Sequence, residues 1–232
     1  MRNLLKSEFY KLFHSWYFWG IGGFNLLLSS FLLLDSKEAT SSLIFASLYN
    51  TPLLYFFTIV FAALFIGNDF ENRTLQSYIN TGHRRGRVMC SKALVYQVGC
   101  MIILVIPLFI HGLVGSLFLN ETVRTVDGNS ITVIKIIISI VAMCMLPFFF
   151  AFIFRDMGKT LTVPMVIFFL MIFLMNGKQA QYISQILPMG QLRLISLQHS
   201  SSFNMNFTFI NLGWIVALYF GSYLWFRRSD LK

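Results

Sequence analysis

Six apolar runs, residues 16–34, 43–67, 93–119, 131–154, 160–175 and 207–226, alternate with short polar stretches along the whole chain. Most of them approach or exceed the roughly 20 residues that cross a hydrocarbon layer about 30 Å thick. Inside lipid every backbone N–H and C=O must bond within its own segment, so the runs predict helices. A transmembrane barrel would alternate apolar and polar positions every second residue. Stretches such as Phe31 to Leu34 and Pro147 to Phe154 do not alternate. The expected fold class is therefore an all-α membrane protein, with six transmembrane helices forming one integrated domain over residues 1–232.

The stretches between the runs carry their own signals. Residues 1–15 are amphipathic: on a helical wheel Leu5, Phe9, Leu12, Phe13 and Trp16 fall on one side, with Ser7, Glu8, Lys11 and His14 opposite. That pattern predicts a helix lying in the membrane interface, cations toward anionic headgroups. Trp16, Tyr17 and Trp19 open the first span at headgroup level, and Gly20, Gly22 and Gly23 would let a neighbouring helix come close. No small-residue cleavage site follows this first run, so it reads as a span rather than a removable signal. Pro52 predicts a kink in the second span. Residues 176–206, broken by Pro188 and Gly190, predict short helices dipping into the outer interface between spans five and six. The polar residues 68–92 form the longest hydrogen-bonding stretch between two spans.

Composition agrees with a membrane class: 56% of residues are hydrophobic and 12% charged, against about 25% charged in ordinary soluble chains. The net charge of +9 raises nucleic acid as a partner, but no soluble basic domain exists to bind it. Placement of the charge is more informative. The terminal segments, residues 68–92 and residues 155–159 hold 13 of the 18 Lys and Arg, leaving Lys37, Arg124, Lys135, Lys178 and Arg193 on the other side. Cytoplasmic segments carry the Lys/Arg excess, which predicts both termini inside.

Chemistry at depth is sparse. An ionisable side chain at a span centre costs about 2.5–3.5 kcal/mol on insertion scales. Within the six runs only His111 and Lys135 are ionisable in this sense, and no Asp or Glu occurs. His111 reads as an interhelical hydrogen-bonder and Lys135 as a side chain snorkelling to the outer surface. A Ser–His–Asp triad lacks its carboxylate at depth, HExxH is absent, and so is the GxxxxGK[ST] loop that holds ATP. Cys90, Cys100 and Cys144 show no metal-ligand spacing and read as small apolar residues. Asn120-Glu121-Thr122 matches the N-glycosylation pattern once, a weak signal. The expectation is no catalytic, cofactor-binding or metal residue, and no energy source within the chain.

Residues 67–92 resemble the segment between spans two and three of ABC-2-type transporter permeases. In that family the segment reads Gly-x-[Asp/Glu]-[Phe/Tyr]-Glu-Asn-Gly-Thr, then a helix, then Gly-x-Ser-Arg, then a Lys seven residues on. Here Gly67, Asp69, Phe70, Glu71, Asn72, Thr74 and Leu75 stand in register, followed by Gly82, Arg85 and Lys92. The chain departs at Arg73, where Gly is usual, and at Arg84, where Ser is usual. The N-terminal SEFYKLF, the bulky segment before the last run and the terminal RRSDL are also similar to the family, so the resemblance covers essentially the whole chain.

The resemblance implies a permease in a bacterial plasma membrane, paired with a second permease chain as a homodimer or heterodimer. A separate soluble subunit would carry ATP and Mg. Residues 71–81 would be the coupling helix that docks on that subunit, using Glu71, Arg73, Thr74, Leu75, Tyr78, Ile79 and Arg85. Leu75, Tyr78 and Ile79 have i, i+3, i+4 spacing and predict one apolar docking face. Glu71 would favour the start of the helix through the dipole. Nearly charge-free spans suit export of amphipathic peptides, toxin or antimicrobial, as in phenol-soluble-modulin exporters or lantibiotic immunity. Alternatives are export of lipids or small hydrophobic drugs by the same machine, and a non-transporting membrane sensor or assembly protein. Membrane lipid is an expected partner in each case.

Overall fold

The computed structural model describes residues 2–36, 42–119, 129–177, 180–197 and 204–228. Every regular element among them is helical. The glycosylation-like Asn120 to Thr122, the loop cations Lys37, Arg124 and Lys178, and the last four residues lie outside the described residues.

Helix α1 (Arg2–His14) leads to α2 (Trp16–Ser36) across a break at Ser15. There the Ser15 hydroxyl donates to the Leu12 carbonyl at 2.7 Å and takes over an end-of-helix acceptor. Among the described residues five helices are long and apolar enough to cross a membrane: α2, α7 (Arg85–Phe118), α8 (Asn129–Phe154), α9 (Met157–Met175) and α12 (Asn204–Arg228). A sixth span arises when α3 (Leu43–Leu54) is counted with the segment Phe56–Glu71, which meets it at a bend of 48°. That segment comprises α4 (Phe56–Ala62), a π-helical stretch Ala63–Gly67, and α5 (Asn68–Glu71). The bend falls at Tyr55 rather than at Pro52. Proline removes one N–H, which membrane helices tolerate, while Tyr55 turns its ring into the core against Phe168, centroids 5.8 Å apart.

Helix α7 begins eight residues before the expected span start at 93, because the basic stretch from Arg85 to Lys92 is itself helical. At about 1.5 Å per residue its 34 residues reach roughly 50 Å, longer than a hydrocarbon core, so one end stands clear of it. Between α9 and α12 lie α10 (Ala180–Ile186) and α11 (Pro188–Ser196). Helix α11 packs against α3 and α8 and buries Met189, Gln191, Leu192 and Ile195. It is thus part of the bundle, and α10 with exposed Tyr182 and Ile186 covers it.

Aromatic rings run through the core from span two to the last helix. Phe61 stacks on Tyr96 at 5.5 Å, Tyr96 meets Phe148 at 5.8 Å, Phe148 meets Phe152 at 4.7 Å and Phe152 meets Phe226 edge-on at 5.2 Å. Offset and edge contacts of this kind add about 0.5–1.5 kcal/mol each beyond area burial. The outer faces are apolar too: Phe31, Phe169, Phe173 and Phe220 are all exposed. A water-soluble bundle would not leave so much contiguous apolar surface bare, so the helices assemble a multi-pass membrane protein.

Two expectations change here. A Cβ at Gly20, Gly22 or Gly23 would meet nothing within 4 Å, so among the described residues these glycines admit no neighbouring helix. Lys135 is buried instead of snorkelling outward, and it makes an interaction within the fold.

Candidate functional site

At the end of the bundle that carries α1, residues 68–84 and Arg155, four charged side chains meet. Lys92, on the third turn of α7, donates to Glu8 Oε2 of α1 at 2.5 Å and pairs with Asp69 of α5. Lys11, one turn on from Glu8, pairs with the other carboxylate oxygen of Asp69. Lys92, Glu8 and Asp69 are 0%, 1% and 1% exposed, and Lys11 closes the cluster at its rim. Two cations and two anions leave no net charge. Buried charges persist only when paired in this way, because desolvation costs several kcal/mol per ion. The π-helical stretch sets Phe65 alongside, with Lys92 Nζ 4.2 Å and Lys11 Nζ 5.8 Å from the ring centroid, both within cation–π range.

This cluster corrects the expectation for residues 1–15. Leu12 is buried and Leu5 and Phe9 pack partly buried against the core as expected, but Leu4 and Glu8 are turned inward with them, whereas Phe13 is partly and Trp16 almost wholly exposed. Glu8 was expected on the outer, polar face. It lies inside because Lys92 and Asp69 supply its counter-charge, a partnership that a helical wheel cannot register.

Beside the cluster, the motif residues each close a contact between different segments. Gly67 brings the backbone of Met157 so near that an added Cβ would lie 2.9 Å from its Cα. Glu71 Oε1 accepts from the Met157 N–H at 2.8 Å, and Asp156 Oδ1 accepts from the Lys159 N–H at 2.7 Å. Together they satisfy two of the four donors that the start of α9 leaves open. The chain then turns at Asn72 and Arg73 before α6 (Thr74–Asn80). Arg73 sits at φ 55°, the left-handed region, which costs an L-residue roughly 1–2 kcal/mol.

The single helix expected over residues 71–81 is therefore two pieces, and Glu71 ends the first rather than starting the second. Its carboxylate serves the N-terminus of α9, where the dipole favours it. Leu75, Tyr78 and Ile79 do come together, but they face inward. Leu75 is fully buried against Leu4 of α1 and Val88 of α7, with Tyr78 and Ile79 half-buried around them. Burial pushes the Tyr78 hydroxyl above its usual pKa, with Glu8 adding to the shift. Arg85 donates to the carbonyls of Phe226 and Arg227 at 3.3 and 3.1 Å, capping the last turn of α12. Thr74 is half-buried at the start of α6. Of the expected docking residues, Glu71 and Arg73 alone are classed as exposed, and Glu71 is already engaged. Arg73, Ser77, Asn80, Thr81, Arg84 and Arg87 make the outward surface, which is polar and basic.

Sequence reasoning missed Glu8, Lys11 and Phe65 as members of a site, and met Asp69 and Lys92 only as motif letters. One signal was present: Leu4, Glu8 and Leu12 recur every four residues, placing an acid in the middle of an apolar stripe.

Toward the opposite end, His111 of α7 bridges two neighbours. Its ring nitrogens lie 3.0 Å from Ser30 Oγ of α2 and 2.9 Å from Ser47 Oγ of α3. Near the same end Arg193 of α11 donates to Asn176 and Tyr49 at 3.1 and 3.0 Å. No group of three His, Cys, Asp or Glu suited to a metal occurs among the described residues. No family model matches the chain, and no curated protein matches it.

Proposed function

We propose that this chain is the permease subunit of an ATP-driven exporter, of the ABC-2 type that residues 67–92 resemble, with amphipathic peptides as its cargo. The observation that carries this reading is the backbone at Arg73. It adopts the left-handed conformation at the one position of the motif where the resembled family has Gly and this chain does not, and Gly is the residue that takes that conformation without cost. Gly67, Asp69, Glu71 and Lys92 add support, since each makes a contact between segments that a motif spaced this way would need. The coupling segment lies between the bent span and α7, and the charged cluster joins it to α1. A push on α6 thus reaches α1, α7 and α9 through buried contacts rather than a flexible loop.

On this reading six spans cross a bacterial plasma membrane with both termini cytoplasmic. The soluble ATP-binding subunit would meet the polar rim of Arg73, Ser77, Asn80 and Thr81, because Leu75 is already buried within the chain. Its receiving surface should accordingly be acidic and hydrogen-bonding. Cargo would pass along apolar, aromatic walls between two permease chains.

The test is co-purification of the full chain from its own membranes in mild detergent, followed by ATP hydrolysis in the eluate. An ATP-hydrolysing subunit should co-elute and be lost on Ser77→Trp, with the chain still folded. If none co-elutes with the wild type, the chain is not such a permease. Stimulation of that hydrolysis in nanodiscs by an amphipathic helical peptide, and not by a small hydrophobic drug, distinguishes the cargo.

A further inference from the structure

A cavity of about 550 Å³ opens between α8 and α12 at the basic end. Phe149 and Ile153 of α8 and Leu224 and Trp225 of α12 line it, and Arg155 and Arg228 line it where the two helices end. Gly221 makes the groove possible: a Cβ there would come within 2.8 Å of the Phe149 ring, so any larger residue would push that ring into the space. From Arg228 back to Gly221 is seven residues, about 10 Å along the helix axis at 1.5 Å per residue. The groove thus has a cationic end and an apolar length, a division that matches one molecule with a charged head and a hydrocarbon tail.

Its position supplies the rest. The arginines stand at the end of the bundle that carries the Lys/Arg excess, where the surface of a bilayer would lie. Leu224 and Trp225 are about half exposed, and Trp is favoured at headgroup level. Arg155 holds a left-handed backbone, φ 53°, which aims the chain between the end of α8 and the cap of α9. Two carboxylates, Asp156 of that turn and Glu71 of α5, accept from the first-turn N–H groups of α9. Basic pockets between transmembrane helices on the cytoplasmic side bind anionic lipid headgroups, and Arg suits a phosphodiester because its planar donors engage two oxygens at once.

We propose that the groove between α8 and α12 is a binding site for one anionic phospholipid, its phosphodiester held by Arg155 and Arg228 and an acyl chain lying between Phe149, Ile153 and Leu224. A second copy of the chain is the less suitable occupant, since an apolar helix face would offer no anionic group to Arg228, which is exposed at the last turn of α12. The site does not depend on what the chain transports. It fixes α8 to α12 at the end where Arg85 caps α12.

Native mass spectrometry of the full chain, with phosphatidylglycerol or phosphatidylcholine added in equal amounts, tests this. One phosphatidylglycerol per chain should be retained in preference. Arg155→Gln with Arg228→Gln should weaken that retention at least about tenfold. Arg2→Gln with Lys6→Gln, which removes two exposed cations of α1 at the same end, should leave it unchanged. Should the Arg155 variant fail to fold, Arg228→Gln alone, at an exposed last-turn position, should still weaken retention severalfold. Equal retention of the two lipids, or loss from the α1 variant as large as from the groove variant, overturns the proposal. So does efficient disulfide formation between copies carrying Trp225→Cys, which would put a second chain on the groove.

Discussion

Lys92→Met removes the cation that touches both Glu8 and Asp69, and the structure says how the loss divides. Asp69 keeps Lys11, but Glu8 loses its ion-pair partner and stays 1% exposed. Breaking a buried pair by deleting one member costs about 3–5 kcal/mol, mostly the penalty of the charge left behind. With Asp69 still compensated, the lower end, about 3 kcal/mol, is expected. Glu8→Leu alone leaves Lys92 with Asp69 and should cost less, about 1–2 kcal/mol. Combining the two removes the orphaned Glu8 charge and restores apolar contact, so the double variant should lie within about 1 kcal/mol of wild type, giving a coupling of about 3 kcal/mol or more. The measurement is reversible denaturation of the purified chain in mild detergent, read by tryptophan emission. Hydrogen exchange over residues 2–14 would show whether α1 opens first. A Lys92→Met chain within about 1 kcal/mol of wild type, or a double variant no better than Lys92→Met, would refute the view that a buried ionic joint holds α1 to the bundle.

Other substitutions probe neighbouring contacts. Arg73→Gly relieves about 1 kcal/mol of left-handed strain while costing about 0.5–1 kcal/mol in chain entropy, so thermal unfolding should show it equal to or slightly above wild type. Arg73→Val, β-branched at φ 55°, should lose about 1–2 kcal/mol in the same assay. Gly67→Ala forces α5 away from the Met157 backbone, with a loss of about 1–3 kcal/mol by chemical denaturation. His111→Ala removes the bridge to Ser30 and Ser47, and interhelical hydrogen bonds in membrane bundles are worth only about 0.6–1.7 kcal/mol. A larger drop in denaturation midpoint than this allows would mean that the imidazole does more than join three helices.

Some features of this protein can be read from single residues in order. The apolar runs predict most of the spans within a few residues, because the cost of placing a side chain in lipid depends chiefly on that side chain. The cation bias marked one end of the bundle for the same reason. Periodicity also brought Leu75, Tyr78 and Ile79 onto one face, since i, i+3, i+4 spacing follows from helix geometry. What that face meets is a different matter. Its inward turn depends on Leu4 and Val88, some 70 residues before it and 13 after it. The buried position of Glu8 likewise depends on Lys92, 84 residues on, and the role of Glu71 on an N–H at Met157. A charge is judged polar and exposed from sequence because its desolvation cost is local information. The counter-charge that offsets the cost is not, and only the folded chain brings it within hydrogen-bond reach.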